Sequence, residues 1–239
     1  MRTFALSSAV IALTSVVLYH RFRTMPKLNA IRLSNAAFFK SKSNAGLPVG
    51  VFVGGTSGIG QGIAEAFANH TAGNAHIIIV GRNKAAAEET IARFPKPTHP
   101  DAKHEFVSCD ATIMRNVRTA SSDILSRVSK VNYLVITSGF FSMSGRDETD
   151  EGIDKKLAVH YYSRWLFIHE LLPAIVKASE AGEDAKVFSV LAAGHGSKID
   201  LKDLGLKKTF SVSKAGAQAP TYNDLMVAVC LCSLFISAS

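Results

Sequence analysis

The sequence predicts an α/β fold, a doubly wound parallel sheet in a single domain, and three observations carry the prediction. The apolar stretch Val49–Val53 runs into a glycine cluster that opens onto Ile59, Ile63 and Phe67 at i, i+4 and i+8. That switch of period reads as strand, tight turn and helix. Next, Ile77-Ile78-Ile79-Val80 is an unbroken apolar run, as expected of a parallel strand buried on both faces. Last, strand-like and helix-like segments keep alternating as far as about residue 226, the pattern of βα units joined by right-handed crossovers.

A chain of 239 residues can bury one substantial core. Its formal charge of +8 looks like a nucleic-acid or membrane signal until it is located. Seven basic residues (Arg2, Arg21, Arg23, Lys27, Arg32, Lys40, Lys42) precede Glu65, the first acid, which leaves 20 basic against 19 acidic groups for the rest. The globular part is nearly neutral, so no nucleic acid is expected as a partner. Three cysteines, Cys109, Cys230 and Cys232, make no disulfide framework and suit a reducing compartment.

Residues 1–24 form a hydrophobic N-terminal segment. Thr3 to Tyr19 is uncharged and mostly apolar, with Arg2 before it and His20-Arg21-Phe22-Arg23 after it. Seventeen residues is the lower limit for a membrane-spanning helix, about 17–25. Three readings stay open: a membrane contact through residues 3–19 that leaves the protein anchored facing the cytosol, a mitochondrial presequence, or a start at Met25 that leaves the protein cytoplasmic. A basic linker, residues 25–46, follows.

The first helix begins at the turn Gly54-Gly55-Thr56-Ser57-Gly58-Ile59-Gly60, spaced G-x-x-x-G-x-G. A helix that starts at such a turn aims free N–H groups and the positive end of its dipole at a ligand, which is how a phosphate is held. Gly54 allows the sharp turn, Gly58 lets the backbone approach the ligand, and Gly60 lets helix and strand come close. With Gly58-Ile59-Gly60 at its end, the turn resembles that of the short-chain dehydrogenase/reductase family; Val53 stands where the family usually has Thr. The resemblance covers residues 47–226. It implies an NAD(P)-binding Rossmann domain and an oxidoreductase passing a hydride between nicotinamide and a small carbonyl or alcohol substrate.

The second strand ends in Gly81-Arg82-Asn83-Lys84, where dinucleotide folds that bind NAD place an acidic residue about 20 residues beyond the glycines. A carboxylate would repel a 2′-phosphate, whereas Arg82 can bind it with paired charge-assisted hydrogen bonds, so NADP(H) is the expected cofactor. The bland alternative is a solvated Arg on an ordinary loop. The third strand, His104–Asp110, closes on Asp110-Ala111. The resemblance implies a contact from Asp110 to the adenine, and the residue type alone suggests the N-cap of the helix from Ile113. That helix carries Ile113, Val117, Ala120, Ile124 and Val128 as one buried stripe. The fourth strand, Val131–Gly139, ends in Ile136-Thr137-Ser138-Gly139 where the family has Asn-Asn-Ala-Gly, which leaves Ser138 and Gly139 to line the cofactor. A long helix over Ile153–Leu172 resembles the family's dimer face and suggests a homodimer. Its His160 falls where the family has an Asn in its proton relay; His160 can carry a proton or be a plain surface residue.

The expected fifth strand spans Ala185–Gly194. The family's substrate-orienting Ser aligns with Leu191, and the nearest hydroxyl on the strand is Ser189. The family's Tyr-x-x-x-Lys becomes Phe210-Ser211-Val212-Ser213-Lys214, a spacing that puts the first and last residues on one helix face. Lys214 can still hold cofactor ribose, but Phe210 has no proton to exchange with a substrate oxygen. Tyr222, in Pro220-Thr221-Tyr222-Asn223-Asp224-Leu225, reads as structural, and that segment resembles a divergent, largely fungal-type branch of the family. Met226 to Ile236 is uncharged, and residues 227–239 match nothing in the family, so the frame is expected to be lost near Val227 and the domain to lack its last strands. Three classes follow: an NADP(H)-dependent oxidoreductase, a nucleotide-binding relative without turnover, and a truncated product that folds poorly because a sheet missing its last strands exposes an apolar edge.

Overall fold

A computed structural model describes residues 26–41, 46–192 and 194–237, so the apolar segment 3–19 lies outside the described residues. The chain divides into two compact units, residues 1–44 and 45–239. In the first, helix α1 (Leu28–Ser41) forms where a linker is expected, with Leu28 and Leu33 exposed.

The second unit is a five-stranded parallel sheet in the order β3-β2-β1-β4-β5. Its strands are β1 (Val49–Val53), β2 (His76–Gly81), β3 (Lys103–Ser108), β4 (Tyr133–Ile136) and β5 (Lys186–Ser189). Side chains alternate across each strand, and both faces are covered. Val51, Val53, Ile78 and Val80 join one core with helices α4 (Met114–Arg127) and α6 (Ser163–Glu180). Phe52, Ile77 and Ile79 join the other with α2 (Gly58–His70) and Phe94, which follows α3 (Lys84–Ala92). Every residue of β1 is buried, which is why its sequence shows no polar alternation. At the amino ends, buried Asn132 ties the sheet together: its Oδ1 accepts from Val49 N at 2.9 Å and its Nδ2 donates to Asp184 O at 3.0 Å.

The fourth and fifth strands are shorter than expected. β5 makes its last ladder bond from Val190 N to Ile136 O at 2.9 Å. β4 ends at Ile136, and Thr137 to Phe140 line the cleft instead, so among the described residues β5 gains no further ladder bond. Among the described residues β5 is hydrogen-bonded as a strand only to β4, and Phe188 is 55% exposed.

The long helix also departs from its expected form. A short helix α5 (Lys155–Leu157) leads into a π turn, Ala158–Tyr162, and then into α6, which passes Pro173 and runs on to Glu180. A π turn holds one extra residue, so the apolar stripe beyond it is rotated by about 100°. Trp165 is 41% exposed, while Leu166, Phe167 and Leu171 face the core.

Helix α7 (Val212–Ser237) continues through Pro220 and takes in the apolar run from Met226, of which Met226 itself joins the core. Proline removes one i→i−4 bond, and Asn223 Nδ2 donates to Ala219 O at 2.7 Å one turn further on. Among the described residues, no helix is long and apolar enough to cross a membrane.

A Cβ at Gly60 would lie 2.2 Å from Thr137 Oγ1 and 2.4 Å from Gly54 O, whereas one at Gly62, two residues along α2, would meet nothing within 4 Å. Gly60→Ala should therefore cost about 1–3 kcal/mol. Gly62→Ala should add about 0.5–1 kcal/mol through helix propensity. Urea denaturation of the two variants beside the parent measures both.

Candidate functional site

The strand order reverses between β1 and β4, and the connections leaving their carboxyl ends diverge there to open a crevice. A cleft of about 300 Å³ occupies this place, lined by the β1–α2 turn, the exits of β2 and β3, and Thr137 to Phe140.

The turn is shaped by contact with β4. Gly54 has φ +86°, donates its N–H to Val80 O at 2.8 Å, and would place a Cβ 2.7 Å from Ser138 N. Thr137 Oγ1 donates back to Val53 O at 3.1 Å. Gly58 has φ +56°, and a Cβ there would meet nothing within 4 Å, so its conformation asks for glycine while its outer side stays open. Ser57, at the N-cap of α2, makes no side-chain capping bond, and the first turn holds no acid. The leading N–H groups of α2 are therefore left for a ligand. Gly55 is different: it is buried, with a Cβ position 3.0 Å from Phe52 O, and it fills space inside the turn. Thr56, Ser57, Gly58, Ile59 and Gly60 all line the cleft.

Arg82 lines the cleft at the end of β2, is exposed, and has no ion-pair partner among the described residues. Its neighbour Asn83 is committed elsewhere, its Oδ1 accepting from Ala86 N at 3.1 Å as the N-cap of α3. Asp110 and Ala111 line the cleft. Asp110 does not cap the following helix. Its Oδ1 accepts from Thr112 N at 2.9 Å and Thr112 Oγ1 at 2.8 Å, because α4 begins only at Met114, beyond its reach. Glu151, distant in sequence, takes the cap instead, accepting from Met114 N at 2.6 Å and Arg115 N at 2.9 Å. Between Asp110 and the sheet, Cys109 is buried, and desolvation followed by the charge of Asp110 pushes its thiol up to about 12.

The wall opposite the turn is Ser138-Gly139-Phe140. Ser138 Oγ is buried without a hydrogen-bond partner, and Ser138 O accepts from Arg164 Nη2 at 2.7 Å. Arg164 is 1% exposed. Its Nη1 donates to Ser189 Oγ at 2.6 Å and to Ile136 O at 3.2 Å, and no carboxylate among the described residues pairs with it. Desolvation pulls its pKa down to about 10, so the guanidinium stays charged at neutral pH. Sequence reading passes over Arg164, since an Arg in a helix normally reaches solvent. The one signal is its spacing from Phe167 and Ile168 on the buried side of α6.

His160 lies behind this wall rather than in the lining. Its Nε2 is 3.1 Å from Phe140 O, and its Cε1 would be 2.9 Å from a Cβ on Gly139. Its carbonyl accepts from Asn223 Nδ2 at 2.9 Å. The remaining candidates are spread out. Ser189 is half-buried on the far side of Arg164, and Lys214 is exposed. Helix α7 starts at Val212 with Ser211 Oγ accepting from Lys214 N at 3.1 Å, so Phe210 precedes the helix and does not share a helical face with Lys214. Phe210 instead sits under Lys156 Nζ, 5.3 Å from the ring centroid, against the cluster of Leu157, Leu206 and Tyr222. Tyr222 is a buried structural residue whose hydroxyl is 2.9 Å from Leu204 O and 2.8 Å from Gln218 Oε1. No tyrosine lines the cleft.

Known proteins share both sequence and fold with this chain. The family model "short chain dehydrogenase" matches residues 49–199. An oxidoreductase of Emericella nidulans is 38% identical over 188 residues, covering 77% of this chain and 55% of the relative. An oxidoreductase of Emericella variicolor is 31% identical, covering 84% of this chain and 57% of the relative. The chain thus spans little more than half the length of these curated relatives. Among solved structures, an uncharacterised protein of Mycobacterium paratuberculosis superposes with a TM-score of 0.65 at 19% identity, over 81% of this chain and 65% of that one. A metagenomic short-chain oxidoreductase in complex with NADP gives 0.52 at 19% identity, over 76% of this chain and 74% of that one.

Desolvation is the largest influence on His160 and holds its pKa below the ordinary 6.5; the Phe140 bond raises it and the charge of Arg164 lowers it further. The unfolded chain therefore binds this proton more readily. The stability that neutral His160 contributes is present above pH 6.5 and lost as the pH falls below it. Urea midpoints of parent and His160→Gln between pH 7.5 and 5.5 should show a shallower acid-side decline in the variant, by about 1 kcal/mol or less.

Proposed function

The chain belongs to the short-chain dehydrogenase family, and on that premise we propose that its cleft binds NADP(H) for oxidoreduction of a small carbonyl or alcohol substrate. The observation that carries this reading is the Gly54–Gly60 turn, pressed against β4 at the switch point of the sheet, with an unpaired Arg82 at its lip. A side chain at Gly54 or Gly60 would collide with β4, and the open side of Gly58 leaves room for a backbone approach, so the turn fits a pyrophosphate. The free N–H groups at the start of α2 would hold the phosphates. Arg82 would take the 2′-phosphate through its planar fork of donors. Asp110 and Ala111 would face the adenine end. Ser138, with its orphaned hydroxyl, and Gly139 would face the ribose nearer β4. Bound nicotinamide supplies or accepts the hydride that interconverts carbonyl and alcohol.

A second reading, dinucleotide binding without turnover, is favoured by the placement of the residues that would move a proton. Phe210 lies against Lys156, Lys214 is exposed, and the cleft lining offers no tyrosine. Ser189 retains its hydroxyl, but Arg164 stands between it and the cleft wall.

NADPH fluorescence titration should show saturable binding tighter than that of NADH. Arg82→Asp should weaken NADPH by roughly 30-fold or more, the loss of paired charge-assisted bonds plus a new repulsion, and should leave NADH within a few-fold. Tighter NADH binding by the parent would refute the assignment of cofactor. NADPH consumption with a panel of carbonyl compounds, for the parent and for Phe210→Tyr, separates the two readings, because turnover by the parent rules out the second.

A further inference from the structure

Arg164 is a cation that the fold buries with no acid among the described residues to pair with it. Burying an unpaired charge costs stability, and an apolar side chain of similar volume in such a place is often neutral or stabilising. Core formation therefore gives no reason for an arginine here. Its donors go to the carbonyls of Ile136, the last residue of β4, and of Ser138 just beyond it, and to the Ser189 hydroxyl, and its Nε has no partner among the described residues.

The consequence lies at the next peptide. Ser138 and Gly139 line the cleft, and Ser138 O points away from it, 2.7 Å from Arg164 Nη2 in the interior. The peptide unit is planar and trans, so the Gly139 N–H points opposite to the Ser138 carbonyl. Gly139 is exposed, and its N–H has no hydrogen-bond partner among the described residues. Glycine alone would let this peptide rotate. The guanidinium prevents rotation by offering the carbonyl a charge-assisted bond in only one of the two orientations. The π turn makes the arrangement possible, because the extra residue between Ala158 and Tyr162 swings position 164 to the buried side of α6.

We propose that Arg164 is a positioning residue of the cleft: its grip on the Ser138 carbonyl turns the Gly139 N–H outward as a fixed donor to an acceptor oxygen of the bound dinucleotide. The proposal rests on the dinucleotide reading given above for the identity of the ligand, and on the structure for the orientation of the peptide.

Arg164→Met and Arg164→Lys test it through NADPH affinity, thermal midpoint and amide hydrogen exchange of a peptide spanning residues 137–141. The methionine variant should keep its thermal midpoint or raise it, bind NADPH roughly tenfold more weakly or worse, and exchange faster at 137–141 but not in β1 or β2. Lysine, with the charge but without the fork, should restore neither affinity nor protection. Parent-like binding and exchange in the methionine variant would overturn the proposal, as would full rescue by lysine. A fall in midpoint with faster exchange across the whole sheet would also overturn it, by making Arg164 a general support of the fold. Arg164→Gln, which keeps one N–H donor, is read by the same criteria should methionine prevent folding. If the parent binds neither NADPH nor NADH, the dinucleotide reading fails, and the exchange comparison alone decides whether Arg164 holds the peptide.

Discussion

Between β1 and β4 there is no room for a side chain at residues 54 and 60. A Cβ on either would stand within 3 Å of β4-exit atoms, Ser138 N in one case and Thr137 Oγ1 in the other. That closeness lets the chain turn sharply at the end of β1 and start α2 with its dipole end directly over the carboxyl edge of the sheet. It also sets the glycine turn close to the opposite wall of the cleft, Thr137 to Phe140. The glycines are a spatial requirement on two neighbouring strands, and the uncapped start of α2 at the cleft follows from meeting it.

The second wall is held from behind. Arg164 ties the exits of β4 and β5, while the side chain of His160 reaches Phe140 O and its carbonyl takes the amide of Asn223 from α7. The π turn Ala158–Tyr162 lies at this wall and holds one extra residue, which rotates the later helix relative to the earlier one. Irregular helix at this point replaces surface with cleft wall: Trp165 goes out and Arg164 comes in. One extra residue in a helix thus decides what stands behind the site.

Much of this was legible beforehand, and the parts that were not share a cause. The strand–turn–helix around Gly54, the buried run of β2 and the stripe of α4 were readable because each is a local pattern whose period survives packing. The expected cleft residues from Thr56 to Gly60, with Arg82, Asp110, Ala111, Ser138 and Gly139, come together because the carboxyl ends of β1 to β4 must meet there in a doubly wound sheet. Asp110 does not take the cap that its residue type suggests, because the carboxylate that does, Glu151, arrives from a loop some 40 residues on, a distance no local pattern can encode. Trp165 is exposed while Tyr161 packs against the core, because the helix that carries both changes its pitch at the π turn.

The sequence by itself determined the fold class, the family and the place of the glycine turn, since these depend on periodicity and on residues whose backbone needs no partner to be recognised. Only the tertiary structure decided which side chains stand behind the cleft. It put Phe210 ahead of its helix and against Lys156, left Lys214 in solvent, and brought Arg164 into the interior as an unpaired cation. The physical reason is that burial and hydrogen-bond partnership belong to elements brought together by the sheet, with β4, β5 and α6 meeting across segments far apart in the chain. A residue's neighbours along the sequence carry no trace of that meeting.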